Sequence, residues 1–258
     1  MLSAIRNIFR RRPAAPASKI DRLTYAIGDI HGMLEHFRAL MDKIRADAAA
    51  LGVRPRLILL GDYIDRGAGS SQVLDEIIRL EFYNGAGKGW CDLEVLMGNH
   101  EQAMMSFLST GDGGMWLKHG GETTLTSYNV PIPPHESMRD IAPLLRSELQ
   151  DRFPAAHYDL ISRMKYTFQA GDYLFVHAGV TPGKPLDEQG PDSFLWIRGE
   201  FLSASQACDL VVVHGHSPTY EPVNQTWRIG VDTGAYETGV LTAVRLLDDT
   251  REFLSVSL

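Results

Sequence analysis

Three short stretches, "GDIHG" (28–32), "GDYIDRG" (61–67) and "GNHE" (98–101), with "HAG" (177–179) and "HGH" (214–216) further on, hold most of the residues able to do chemistry. They offer the carboxylates of Asp29 and Asp62, the amide oxygen of Asn99, and imidazoles at His31, His177 and one of His214 or His216. Oxygen and nitrogen donors without a thiolate suit a hard to borderline cation such as Mn, Fe or Zn. Six donors exceed what one metal with an open position requires. Two ions sharing a bridging carboxylate fit better, and Asp62 is the natural bridge. Taken singly each residue has a plain explanation, since Gly-Asp is a common turn dipeptide and a core histidine usually bonds to backbone. Their joint occurrence is what points to a site.

Each stretch follows or ends an apolar run: "RLTYAI", "RLILL", "LEVLM", "YLFV" and "LVVV". Runs of this kind fit strands buried on both faces of a sheet. Open α/β sheets place functional groups at the carboxyl ends of such strands. Between the first three runs, "MLEHFRALMDKIRADAAAL" (33–51) and "SSQVLDEIIRLEFY" (70–83) repeat apolar residues at helical spacing, and a third helix is expected to start at "NHEQAMMSFL". The first hundred residues therefore read as repeated βα units. Residues 108–163 are turn-rich, with an amphipathic helix expected in "SMRDIAPLLRSELQDRF", and read as a helical and loop insertion over one end of the sheet. "KYTFQAGDYLFVHAG" predicts a hairpin turning near Gly171 and Asp172. "WRIGVDTGA", "GVLTAVRL" and "REFLSVSL" predict three further strands, antiparallel because their connections are short.

The chain has 258 residues, 44% hydrophobic and 22% charged, enough for one large α/β domain with a full core. Its net charge of -7 is uneven, because residues 1–19 hold Arg6, Arg10, Arg11, Arg12 and Lys19 and no acid. The remaining acidic body argues against a nucleic-acid partner, which would need a basic face. No apolar stretch approaches the roughly 18–20 residues that span a bilayer. Arg6 and Asn7 interrupt the apolar run expected of a secretory signal. Residues 1–19 are expected to form a flexible basic tail. Leu2, Ile5, Ile8 and Phe9 leave open a weak membrane-surface contact. Cys91 and Cys208 form no CxxC pair and fit reduced thiols in a cytoplasmic protein.

Together the motifs resemble the signature of the calcineurin-like metallophosphoesterases, specifically the phosphoprotein phosphatase branch, over about residues 28–245. "WLKHGGETTLTSY" and "FLWIRGEF" further resemble its compact bacterial serine/threonine phosphatases. The resemblance implies a four-layer αββα sandwich as one catalytic domain over residues 20–258; specificity is expected in the 108–163 insertion and in the loops after Arg198. It implies two divalent ions, manganese first, with iron or zinc as alternatives. Asp29 and His31 would hold one, Asp62 would bridge, and Asn99, His177 and His216 would hold the other. His100 would be the general acid, oriented by Asp65, while Arg66, Arg198 and Asn99 would grip the phosphate. The implied activity is that of a phosphomonoesterase acting on a phosphoprotein or phosphopeptide at serine or threonine, by direct attack of metal-activated hydroxide.

Two other readings stay open. One is a hydrolase of diadenosine polyphosphates or other small phosphate esters and anhydrides; the other is a non-catalytic metal-binding scaffold. The family pattern leans against the symmetrical tetraphosphatases, whose third motif usually ends in Asp rather than Glu101. Glu101 is expected to be a helix N-terminal charge. Arg198 has a salt bridge with Glu200 as its alternative. Asp232 and His214 are left between a structural role and contact with the site.

Overall fold

The computed structural model describes residues 18–258 apart from 115, 135, 136, 138 and 139, so the first 17 residues and their membrane-contact alternative lie outside the described residues. In chain order the elements are β1 (Ile20–Ile27), α1 (Leu34–Leu51), β2 (Arg56–Leu59), α2 (Ser70–Gly85), β3 (Asp92–Val95) and α3 (Asn99–Thr110). The segment that follows holds α4 (Gly121–Ser127), α5 (Ala142–Arg152) and α6 (Ala155–Ser162). Then come β4 (Thr167–Ala170), β5 (Tyr173–Val176), α7 (Pro191–Trp196), α8 (Gly199–Ser203) and β6 (Val211–His214). The chain closes with β7 (Val223–Asn224), β8 (Arg228–Gly230), α9 (Ala235–Thr238), β9 (Val240–Asp248) and β10 (Thr250–Ser257).

Two five-stranded sheets result, ordered β10-β9-β1-β2-β3 and β4-β5-β6-β8-β7. The period of two along each strand divides the apolar residues between layers. Ala26, Ile58, Val244, Phe175, Val213 and Ile229, drawn from both sheets, meet in a shared inner core. Tyr25, Leu57 and Leu59 face the other way, onto Phe37 and Leu40 of α1 and Val73 and Leu74 of α2. Leu174, Val176 and Val212 turn from the second sheet onto Phe194 and Phe201 of α7 and α8. Helix, sheet, sheet and helix make the four-layer αββα sandwich.

The apolar group beneath α1 and α2 is extended by the 108–163 segment. Trp116, Leu125, Leu145 and Leu160 belong to the same cluster as α1 and α2, with α4 and α6 against α2 and α5 against α3. The hairpin at Gly171 and Asp172 forms as the sequence predicts, with β4 antiparallel to β5. One expectation needs correction. β9 and β10 are antiparallel, but β8 lies in the other sheet, parallel to β6. The short connection after β8 is a passage between sheets rather than a hairpin, because α9 and its flanking glycines carry the chain across. No described helix is long and apolar enough to cross a membrane.

Candidate metal centre and active site

The parallel strands β1, β2, β5 and β6 end on one rim, and the loops leaving them fold over one another. Glycine is required where backbones nearly touch: a Cβ on Gly98 would lie 2.1 Å from the Asp62 amide nitrogen, and one on Gly215 would lie 2.1 Å from Asp29 Oδ1. Among the described residues seven non-glycines have positive φ, and five of them belong to this rim: His31, Asp62, Asp65, Arg66 and His216. Such conformations persist only where surrounding structure over-determines them.

Asp62 stands at the centre. His31, Asp62 and His100 offer ligand atoms all within 4.8 Å of one another, and Asp62, His177 and His216 form a second such group that shares the same carboxylate. His31 Nε2 lies 3.6 Å from Asp62 Oδ2, and His177 Nε2 lies 3.4 Å from Oδ1. Asn99 Oδ1 sits 2.8 Å from His177 Nε2 and 2.9 Å from His216 Nδ1. His177, His216 and Asn99 thus meet on one side of Asp62 and His31 on the other, with His100 rather than Asp29 grouped beside His31. Asp29 is oriented differently: its oxygens accept the His216 backbone N–H at 3.0 and 3.1 Å, which ties the first loop to the last.

The donor set fits cations. His31 Nδ1 and His177 Nδ1 donate to the carbonyls of Ile64 and Leu60 at 2.8 and 2.9 Å, which leaves each Nε2 lone pair facing Asp62. Burial lowers the His31 pKa to about 4 and that of His216 to about 3, and it lowers His177 too, so these rings are neutral ligands at neutral pH. Burial also raises Asp29, with help from Asp232 and Asp62, and raises Asp232 to about 6. For Asp62, burial is outweighed by the facing histidines and the pKa falls. Asp29, Asp62, Asp65, Glu101 and Asp232 are all buried here. Buried carboxyls at this density call for positive charge beyond what His100 and two rim arginines supply.

His100 is held differently from the other rings. Its Nδ1 donates to Asp65 Oδ2 at 2.5 Å, and its Nε2 is directed to the cavity, 3.9 Å from Asp62 Oδ2. Burial pulls its pKa down, but Asp62 and the bonded Asp65 outweigh that and raise it to about 9. With Nδ1 bonded to Asp65, the Nε2 side of the ring faces the cavity.

Arg66 and Arg198 line the same cavity of about 400 Å³, together with Trp116, Trp196 and Tyr236. The Arg66 guanidinium lies over the Tyr236 ring at 4.7 Å. Arg198 Nη2 donates to the His216 carbonyl at 2.8 Å, so it faces the site and not Glu200.

Three residues are sharpened by the structure. Glu101 is more than a helix-terminal charge: Oε2 accepts the Asp62 and Gly98 N–H groups, and Oε1 accepts those of Tyr63 and Ile64. Asp232 lines the cavity and also accepts the Gly234 N–H at 2.9 Å. His214 turns away, with Nδ1 bonded to the Gly215 carbonyl, Nε2 3.2 Å from Arg228 Nη1, and its ring edge-on to Phe201. Alternation would place it with His216, but β6 ends at His214 and His216 takes a left-handed turn. Tyr236, which lies edge-on to His31, and the Trp116 and Thr124 contacts to Asp65 carried no signal in the spacing of the motifs.

A sandwich of this order with a paired donor site defines a class of phosphoester hydrolases, and the calcineurin-like phosphoesterase family matches residues 23–239. The chain belongs to that family. It is 28% identical over 238 residues to the asymmetrical bis(5'-nucleosyl)-tetraphosphatase PrpE of Bacillus thuringiensis (strain Al Hakam), covering 85% of this chain and 88% of that one. Among solved structures it is similar to one provisionally assigned as a diadenosine tetraphosphatase, with TM-score 0.59, 18% identity, and coverage of 92% of this chain and 98% of that chain. It is also similar to the cold-active protein-tyrosine phosphatase of a psychrophilic Shewanella, with TM-score 0.60, 18% identity, and coverage of 93% and 82%.

Proposed function

We propose that the chain hydrolyses the phosphoanhydride chain of dinucleoside polyphosphates at a site built for two divalent ions. The carrying observation is the pair of donor groups sharing Asp62 at the base of a cavity flanked by Arg66 and Arg198. Similarity to the asymmetrical tetraphosphatases along 85% of the chain supports a polyphosphate over a monoester substrate. Exposed aromatic surface at the cavity mouth also supports it. Trp196 is 39% exposed, and a second cleft of about 1040 Å³ opens beside the first across Ala103, Trp116 and Trp196, leaving room for a nucleoside beside the reacting phosphate.

Asp29, His31, Asp62, Asn99, His177 and His216 would hold the ions, with Asp62 between them. When bound, the ions supply Lewis acidity and a lowered pKa for water. Arg66 and Arg198 bind non-bridging phosphate oxygens, where a planar guanidinium makes paired hydrogen bonds. His100 gives the proton at Nε2 to the departing oxygen, and Asp65, accepting the Nδ1–H, orients the ring and stabilises the protonated form that carries both N–H groups. Water adds to phosphorus as the P–O bond to the leaving group breaks. An asymmetrical cut of a dinucleoside tetraphosphate yields a nucleoside triphosphate and a nucleoside monophosphate.

A second reading, a phosphoserine or phosphothreonine phosphatase with Mn, draws on the motif resemblance and on the same adjoining cleft, which has room for a peptide beside the phosphate. Purified enzyme given Mn and equal concentrations of diadenosine tetraphosphate and a phosphopeptide panel decides between them. The first reading expects kcat/KM for the dinucleotide at least about tenfold above the best peptide. The reverse order would establish the second.

A further inference from the structure

We infer that Trp116 and Thr124, carried by the 108–163 segment, are positioning residues for proton donation by His100, acting through Asp65. The inference rests on the role given to His100 above and assigns catalytic alignment to a segment expected to serve specificity.

Asp65 is fully buried and its backbone is left-handed, φ 73°. A carboxylate without water needs its lone pairs filled by protein donors. His100 Nδ1 fills one on Oδ2. The remaining donors come from the segment: Trp116 Nε1 lies 3.1 and 3.0 Å from the two oxygens, and Thr124 Oγ1 donates to Oδ1 at 2.5 Å. Thr124 acts twice, because the same hydroxyl accepts the Asp65 backbone N–H at 2.9 Å. Ser70 Oγ accepts that N–H as well and stands 3.0 Å from Thr124 Oγ1. Both Trp116 and Thr124 are buried.

The same segment also reaches the next residue. The Gly120 carbonyl accepts the Arg66 N–H at 3.4 Å, and a Cβ on Gly120 would fall 2.9 Å from that nitrogen. The loop that carries Asp65 and Arg66 is thus clasped from outside, and the clasp decides where the His100 ring stands. Proton transfer depends steeply on that placement, since a misalignment of about 1 Å can cost on the order of a hundredfold in rate.

A structural role alone would weaken the fold and depress every activity alike, whereas a positioning role acts most where the leaving group needs a proton. Thr124→Val is nearly isosteric and removes both hydrogen bonds. Under saturating Mn, kcat for phenyl phosphate, a poor leaving group, is expected to fall about tenfold or more. For p-nitrophenyl phosphate, which departs with little protonation, the fall stays below about threefold, and KM changes by less than about twofold for both. Thr124→Ser restores the rate. In a His100→Asn background Thr124→Val has no further effect, because the group it aligns is gone. Trp116→Phe, which deletes the indole N–H together with part of the buried ring, repeats the pattern if the valine variant does not fold. A second readout uses no turnover: the downfield proton resonance of His100 Nδ1–H moves upfield in Thr124→Val and returns in Thr124→Ser.

Equal losses on the two aryl phosphates, failure of serine to restore the rate, or an undiminished loss in the His100→Asn background would overturn the inference. A His100→Asn variant as fast as wild type on phenyl phosphate would instead remove the general-acid role on which it rests.

Discussion

Replacing Glu101 by Gln tests whether this buried carboxylate holds the centre together. Four backbone N–H groups, those of Asp62, Tyr63, Ile64 and Gly98, converge on its two oxygens at 2.8 to 3.2 Å. Burial and the Asp62 charge push its pKa up, yet each oxygen already takes two N–H donors, an arrangement that fits only the ionised form. The amide variant keeps one oxygen and turns an NH2 toward two N–H donors. Each buried N–H left unmade costs about 1–3 kcal/mol, and relief of the repulsion from Asp62 offsets part, for a net loss of about 2–3 kcal/mol. For a chain of 258 residues that corresponds to a drop in Tm of roughly 5–10 °C. The melt is run on chelator-treated protein, so that weakened ion binding does not contribute. A variant melting within about 2 °C of wild type would refute the reasoning, because an orphaned N–H pair cannot be that cheap.

Three further outcomes are expected. His216→Ala loses one of two bound ions by metal analysis, while His214→Ala keeps both; loss of an ion in the His214 variant would mean that its bonds to Gly215 and Arg228 support the site after all. Asp47→Asn loses about 1 kcal/mol at pH 7, since Asp47 accepts from the Tyr25 hydroxyl at 2.5 Å and from Arg245 at 2.7 Å, bonding α1 to β1 and β9. Burial works against the Asp47 charge, but Tyr25 and Arg245 hold its pKa below the usual value. The stabilisation is therefore complete above the unfolded pKa near 4 and fades as pH falls below it, so denaturation curves of the two proteins should converge in acid and stay apart at pH 6–8.

The residues that gather on Asp62 were legible in the sequence because metal chemistry restricts residue type, and because each follows a strand whose apolar run is unambiguous. Gly98 and Gly215 add a signal of their own, as no other residue fits where one loop backbone lies on another. The sandwich was legible only through resemblance. Periodicity indicates that a strand is buried on both faces, but it does not say which sheet the strand joins, which is why β8 was misplaced beside β9. Contacts from distant segments were hidden for a similar reason. Trp116 and Thr124 meet Asp65 from 51 and 59 residues away, and a buried tryptophan in a turn-rich segment has the look of ordinary core. His214 could not be separated from His216 by alternation, since alternation stops where the backbone turns left-handed.

One carboxylate, Asp62, is shared by the two groups of ligand atoms and is proposed to join two cation positions. A crystal grown with Mn and measured on both sides of the manganese absorption edge tests it most directly. Two anomalous peaks are expected about 3.5–4 Å apart, one toward His31 and Asp29 and the other among Asn99, His177 and His216, with Asp62 between them. A single peak, or two peaks that do not share Asp62, would contradict it.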